Sequence, residues 1–224
     1  MATDPKTLPA ATIARLPVRY SWDTRYFNDR HEGIPVDGYG SFILRMLDHP
    51  RIRLHLNTDW HDLPRPPSTP VVYTGPLDRY FEHRAGHLGW RTLDLSLETH
   101  QVPDYQGCAM LNYADQNDPR TRTHEFRHYH PNRKAGTATV VMHERSRRAH
   151  RTDEPFYPIN ATTDREALAT YRRMALIEAD THFGGRLGTY QYLDMHMAVA
   201  SAHTDWTNHI QPDLNTRQAR SDSQ

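Results

Sequence analysis

Lysine is almost missing from this chain. Lys6 and Lys134 are the only two, so 25 of the 27 basic side chains are arginine. Charge of one sign is missing too. The 27 basic residues face 27 acidic ones, a formal net charge of zero, which excludes a bulk electrostatic binder of nucleic acid. Cys108 is the single cysteine, so no intrachain disulfide framework can form. No apolar run approaches the ~20 residues of a membrane-spanning helix. The first twenty residues lack the apolar stretch of a signal peptide, and the expectation is a cytoplasmic protein. There is no G-x-G-x-x-G, no P-loop and no G-x-S-x-G. A dinucleotide-binding strand–turn–helix start is therefore absent from the 224 residues.

What is present is globular. The hydrophobic share is 37% and mean hydropathy is −0.84, low for a compact enzyme. However, 12 Tyr, 6 Phe and 4 Trp sit among patterned aliphatics. Sixteen histidines accompany the arginines, and this bias toward Arg, His, Ala and Pro is that of GC-rich codons. Arginine does supply a planar fork suited to phosphate and carboxylate.

Along the chain, residues 8–17 suggest a short helix between prolines, and Gly33–Gly40 a turn-rich loop. Phe42, Ile43, Met46 and Leu47 recur at helical spacing. Arg51–Leu56 alternates and reads as a strand, as do Val71–Tyr73, Leu93–Leu97, Cys108–Tyr113, Thr121–His130 and Ala138–His143. Asp78–Arg84 suggests a helical turn, and the basic run Arg145–Arg151 a solvated loop. Thr163-Asp164-Arg165-Glu166 has the form of a capping box opening a helix through Ala175. Thr181–Phe183 leads into a glycine turn, and Asp194 to about Ile210 reads as a last helix. The fold expected is α+β, a mainly antiparallel sheet domain plus a C-terminal α/β segment. The divisions are 1–40 as a lead-in, 41–150 as the sheet domain, 151–210 as the C-terminal segment and 211–224 as a disordered tail.

His124-Glu125-Phe126-Arg127-His128 matches the zinc hydrolase signature H-E-x-x-H. That chemistry needs a helix, which stacks the two histidines one turn apart. The flanking Thr, Phe and Tyr favour a strand, where i and i+4 stand about 13 Å apart and cannot share one zinc. No metal site is therefore assigned, and a zinc hydrolase through His124 and His128 stays a remote alternative. Cys108, in an apolar run, reads as a buried structural thiol. The remaining chemistry lies in Arg15, Tyr26, Arg122, Tyr157, Arg186, Tyr190 and Tyr192, each near prolines, glycines or an element end. Two arginine forks with several phenolic hydroxyls make a toolkit for a diphosphate.

These segments also resemble a known family. Arg15-Leu16-Pro17-Val18-Arg19-Tyr20 with Asp23 and Tyr26-Phe27, Glu32-Gly33-Ile34-Pro35, Val72–Phe81 (VYTGPLDRYF), Tyr105-Gln106-Gly107, Thr121-Arg122, Asp153–Asn160 (DEPFYPIN) and Phe183–His196 (FGGRLGTYQYLDMH) occur in the order of the later half of bacterial UDP-galactopyranose mutase. The likeness covers roughly residues 8–205. It implies an isomerase interconverting UDP-galactopyranose and UDP-galactofuranose, with reduced FAD acting on the anomeric carbon of galactose. It implies UDP-galactose as substrate, a product destined for cell wall or surface polysaccharide, and a homo-oligomer when complete. By position, Arg15 and Arg122 look like the diphosphate arginines, and Tyr26, Tyr157 and Tyr192 like the phosphate-side tyrosines. Gly184, Gly185 and Arg186 look like the flavin-contacting loop, with Asp194 and Met195 at the helix start beside the isoalloxazine. Arg186 would also approach the sugar.

The departures are specific. The family's N-terminal dinucleotide site, its histidine-bearing flavin loop and its uridine-binding helical segment have no counterpart here. Thr123 and His124 replace an aliphatic pair, and Phe156 stands where a tyrosine is frequent. The expectation is a C-terminal part whose C-terminal segment completes an FAD-binding domain, largely dependent for FAD on a separate N-terminal polypeptide. A non-catalytic interaction fragment, or one subunit of a split enzyme, is the alternative.

Overall fold

The computed structural model describes residues 20–22, 29–64, 68–115, 117–130, 132–133 and 136–221. Helix α1 spans Gly38–Leu47, after a turn in which the Gly38 N–H meets the Pro35 carbonyl. A 3-10 turn follows at Trp60–Asp62. Next come β1 (Val71–Tyr73), α2 (Leu77–Tyr80), β2 (Trp90–His100), β3 (Met110–Asn112), β4 (Arg122–Glu125) and a 3-10 turn at Phe126–Tyr129. After these lie β5 (Thr139–Arg148), β6 (Tyr157–Pro158), α3 (Thr162–Leu176), β7 (Thr181–Phe183), α4 (Gly185–Gly188), α5 (Met195–Asp205), a π turn (Trp206–Ile210) and α6 (Gln211–Ser221). Helices and a largely antiparallel sheet bear out the α+β expectation at that level.

The chain forms two compact units. The first comprises residues 1–62 and 94–146. In it β3 pairs antiparallel with β4 and β4 with β5, with Arg122 opposite Glu144 and Thr123 opposite His143. The body of β2 lies next to β5. The interior of this unit is polar: Thr123, Glu125, Thr139 and Glu144 are buried with Val141. Each buried carboxylate is met by donors. Glu125 accepts the backbone N–H groups of Tyr105 (3.1 Å) and Gln106 (2.8 Å). Glu144 accepts the Thr121 hydroxyl at 2.9 Å.

The second unit comprises residues 63–93 and 147–224. Here β1 pairs in parallel with β7, and the start of β2 pairs antiparallel with β6. Its core is Leu77, Phe81, Leu88, Trp90, Leu168, Tyr171 and Tyr190. Phe81 stacks against both Tyr171 and Phe183. Helix α3 starts where Asp164 accepts the Ala161 N–H at 2.8 Å. Alanine has no side-chain acceptor to return the favour, so this is half a capping box, two residues earlier than Thr163 and Glu166 suggest. The other Asp164 oxygen takes the Gly89 N–H at 3.0 Å and so ties α3 to the entry of β2.

Several expectations are corrected. Arg51–Leu56 forms no strand: Ile52, Leu54 and Leu56 are exposed and have no ladder partner among the described residues. Alternation supports a strand only where a neighbour can accept it. Strand β5 runs on through Arg148, so most of the basic run is strand, and Arg147 pairs with both Asp153 oxygens at 2.5 and 3.0 Å. The strand at Thr121–His130 ends at Glu125. Cys108 is half-buried. The disordered tail is helical to Ser221, because Arg217 bridges Asp213 (2.8 Å), Asp180 (2.6 Å) and the Ala179 carbonyl (2.9 Å). No helix among the described residues is long and apolar enough to cross a membrane.

Candidate functional site

The described candidate residues fall into two groups, one in each unit. In the second unit the chain leaves β7 through two glycines. Gly184 is extended and donates its N–H to the Tyr73 carbonyl at 3.0 Å. Gly185 adopts φ +69°, a left-handed conformation that glycine enters without steric cost. A Cβ on Gly188 would stand 2.9 Å from the Tyr73 carbonyl oxygen. These residues bring α4 hard against the end of β1, and Arg186 is carried on that short turn.

The Arg186 guanidinium lies 4.6 Å from the Tyr192 ring centre and 5.0 Å from that of Tyr157. The two rings are stacked at 5.8 Å with 19° between their planes. Tyr157 is placed by β6, opposite Arg91 in the ladder. Tyr192 is placed by Tyr190, which turns at φ +53°. The Tyr190 hydroxyl donates to the Gly89 carbonyl at 2.6 Å and accepts the Asn160 N–H at 3.2 Å. Burial pushes the Tyr190 phenol well above its ordinary pKa, so it stays a donor.

The ring faces attract the cation but use none of its N–H groups. Nε and Nη2 of Arg186 are buried and have no hydrogen-bond partner among the described residues. A buried donor left unspent costs about 1–3 kcal/mol, and a cation–π contact returns roughly 0.5–2 kcal/mol. The arrangement is thus an oriented guanidinium edge with donor capacity in reserve for an oxygen-bearing ligand. Beyond it, Asp194 is extended and its carbonyl accepts the Ala198 N–H at 2.9 Å, opening α5. Met195 is 63% exposed at the helix start.

In the first unit, Arg122 begins β4. Its Nε is 3.5 Å from Glu144 Oε1, an ion pair without hydrogen-bond alignment. Glu144 therefore holds the guanidinium electrostatically while the Thr121 hydroxyl takes up one carboxylate oxygen. Thr123 is buried, with its hydroxyl on the Gln106 side-chain carbonyl at 2.8 Å. The polar replacement of the aliphatic pair is thereby satisfied internally. Arg15 and Tyr26 lie outside the described residues.

The H-E-x-x-H residues point to different neighbours. His124 Nδ1 meets the Tyr129 hydroxyl at 2.8 Å and its Nε2 faces Glu144 at 3.7 Å. His128 Nε2 instead faces Asp104 at 3.2 Å and Glu125 at 3.6 Å. Strand followed by 3-10 turn, rather than helix, separates the two imidazoles. His124 and His128 share no possible metal-binding group among the described residues, and the zinc-hydrolase reading is set aside.

Sequence reasoning missed the parts played by Asp164 and Tyr190. Tyr190 is the buried anchor that aims Tyr192, and only its place in the run Gly188–Asp194 hinted at it.

Residues 1–192 match the family described as UDP-galactopyranose mutase. The chain belongs to this family. It is 39% identical over 199 residues to a probable UDP-galactopyranose mutase of Klebsiella pneumoniae, covering 89% of this chain and 51% of the relative. It is 33% identical over 205 residues to a dTDP-fucopyranose mutase of Escherichia coli, covering 89% and 54%. A UDP-galactopyranose mutase of Mycoplasma pneumoniae is 28% identical over 207 residues, covering 86% and 52%. The chain spans about half the length of the curated relatives it matches.

Proposed function

We propose that this chain supplies the substrate-holding side of a flavin-dependent UDP-galactopyranose mutase, interconverting UDP-galactopyranose and UDP-galactofuranose. The observation that carries the reading is the Arg186 guanidinium, oriented by Tyr157 and Tyr192 with two buried donor nitrogens unspent. Donors of that kind suit the oxygens of a nucleotide sugar or the polar edge of a flavin.

Reduced FAD, when bound, supplies the nucleophilic nitrogen that acts on the anomeric carbon. The protein's work is positioning and charge stabilisation. Arg122 and Arg15 hold the diphosphate and stabilise the negative charge that grows on the departing UDP. Tyr26, Tyr157 and Tyr192 orient the phosphates through their hydroxyls. Arg186 fixes the sugar against the cofactor, and Gly184, Gly185, Asp194 and Met195 border the isoalloxazine. The residues present fit the ring end of FAD. The sequence has no glycine-rich strand–turn–helix for the adenosine diphosphate, so that end is held by residues outside these 224. The C-terminal segment then completes an FAD-binding domain provided by a partner polypeptide. The active assembly of this chain with that partner is cytoplasmic, and the complete enzyme is a homo-oligomer.

UDP-galactose is taken as the substrate, following the Klebsiella pneumoniae relative, whose identity is higher than that of the dTDP-fucopyranose mutase. The reading is tested by equilibrium binding of reduced FAD to the 224-residue chain, alone and mixed with the preceding half of that relative. Weak binding alone and stoichiometric binding in the mixture are expected. Tight stoichiometric binding by the chain alone would contradict the need for a second polypeptide.

A further inference from the structure

The second unit contains a cluster that the mutase reading does not use. Asp78, on α2, is buried, and its Oδ2 accepts the Leu88 N–H at 3.0 Å. His83 Nδ1 lies 3.2 Å from the same oxygen. His87, exposed, brings its ring centre to 4.1 Å from that of His83. One ligand atom from each residue lies within 4.8 Å of the other two.

We propose that Asp78, His83 and His87 form a binding site for one divalent first-row transition ion of the zinc class. Three features carry this. The donor set is two imidazoles and a carboxylate, which suits Zn2+ and its neighbours rather than the all-oxygen ions Mg2+ and Ca2+. The 3.2 Å between Asp78 Oδ2 and His83 Nδ1 matches the edge of a tetrahedron with ~2.0–2.1 Å bonds, about 3.3 Å. The connecting turn is also held in an uncommon shape. Glu82 and His83 are both left-handed, at φ +53° and +59°, and the His83 N–H bonds the Asp78 carbonyl at 2.8 Å. That conformation directs His83 back over the carboxylate instead of into solvent.

Burial lowers the His83 pKa, helped by the neighbouring His87 and Arg151 and opposed by the Asp78 carboxylate, which favours the neutral imidazole that a metal ion needs. The exposed side of His87 leaves the fourth position to water.

Asp104, Glu125 and His128 form a second compact group, and in both groups the carboxylates also accept backbone N–H groups. Glu125 takes the Tyr105 and Gln106 N–H groups, and Asp104 takes that of Gly107. It has one imidazole against two at the first cluster.

The test is titration of the chelator-treated full chain with Zn2+ by calorimetry, and with Co2+ followed by visible absorption. The expected result is one equivalent bound, with affinity falling at least about tenfold in His87→Ala and unchanged in His128→Ala. His87 is exposed, so its removal leaves the fold intact. Absence of a stoichiometric ion, or equal affinity in His87→Ala, would overturn the assignment.

Discussion

At the scale of single residues, Arg186 is the most informative side chain, because it is held by ring faces and keeps its N–H edge unspent. Arg186→Lys keeps the charge but loses the fork and the flat stacking surface. Turnover in the assembled enzyme is expected to fall by about 10²–10³, as for loss of one preorganised donor, with little change in the melting temperature of the chain. The paired measurement is steady-state turnover alongside thermal unfolding. Gly185→Ala should lower stability as well as turnover. A side chain at φ +69° costs about 1–2 kcal/mol, read as a lower melting temperature. The sequence pointed to Arg186, Tyr157 and Tyr192 through their neighbours in Asp153–Asn160 and Phe183–His196. It could not indicate that the two rings close on one guanidinium, since residues 157 and 186 meet only through the packing of β6 and α4.

At the scale of elements, ladders and caps decide which patterned segments become structure. Asp164 serves the Ala161 N–H of α3 and the Gly89 N–H at β2 with its two oxygens, in a site only 5% exposed. Asp164→Ala leaves two donors unmet and should destabilise the chain by about 2–4 kcal/mol, measured by urea unfolding. Asp118 sets a pH dependence in the strand entry. Arg120 and its own backbone N–H hold the Asp118 carboxyl down to about 2. A depressed carboxyl contributes stability above its unfolded pKa of 3.8, and that contribution is lost as pH falls toward about 2. An NMR titration of the Asp118 side chain should show its midpoint near 2, and Arg120→Ala should move it upward. Helices α1 and α3 were legible from apolar spacing, and β1, β2, β3 and β5 from alternation or apolar runs. Arg51–Leu56 was not, because its pattern lacks a partner among the described residues. Helix α6 was not, because its polar residues stabilise it through Arg217 rather than through an apolar face.

At the scale of the whole molecule, the two units bury different interiors. The second has an aromatic and aliphatic core, whereas the buried residues of the first are mostly Thr and Glu with satisfied donors. Exposed apolar side chains are numerous outside these interiors, including Phe42, Ile43, Leu44 and Met46 on α1 and Met195, Met197 and Val199 on α5. A chain spanning about half of its relatives and carrying such surface is consistent with catalysis by an assembly larger than these 224 residues. The most direct measurement is the conversion of UDP-galactofuranose to UDP-galactopyranose with reduced FAD. It is made on the chain alone, on the chain mixed with the preceding half of the Klebsiella pneumoniae relative, and on the same mixture with Arg186→Ala. Turnover in the second case only is expected. Undiminished turnover with Arg186→Ala, or none when both halves are bound together with FAD, would contradict the role given to this chain.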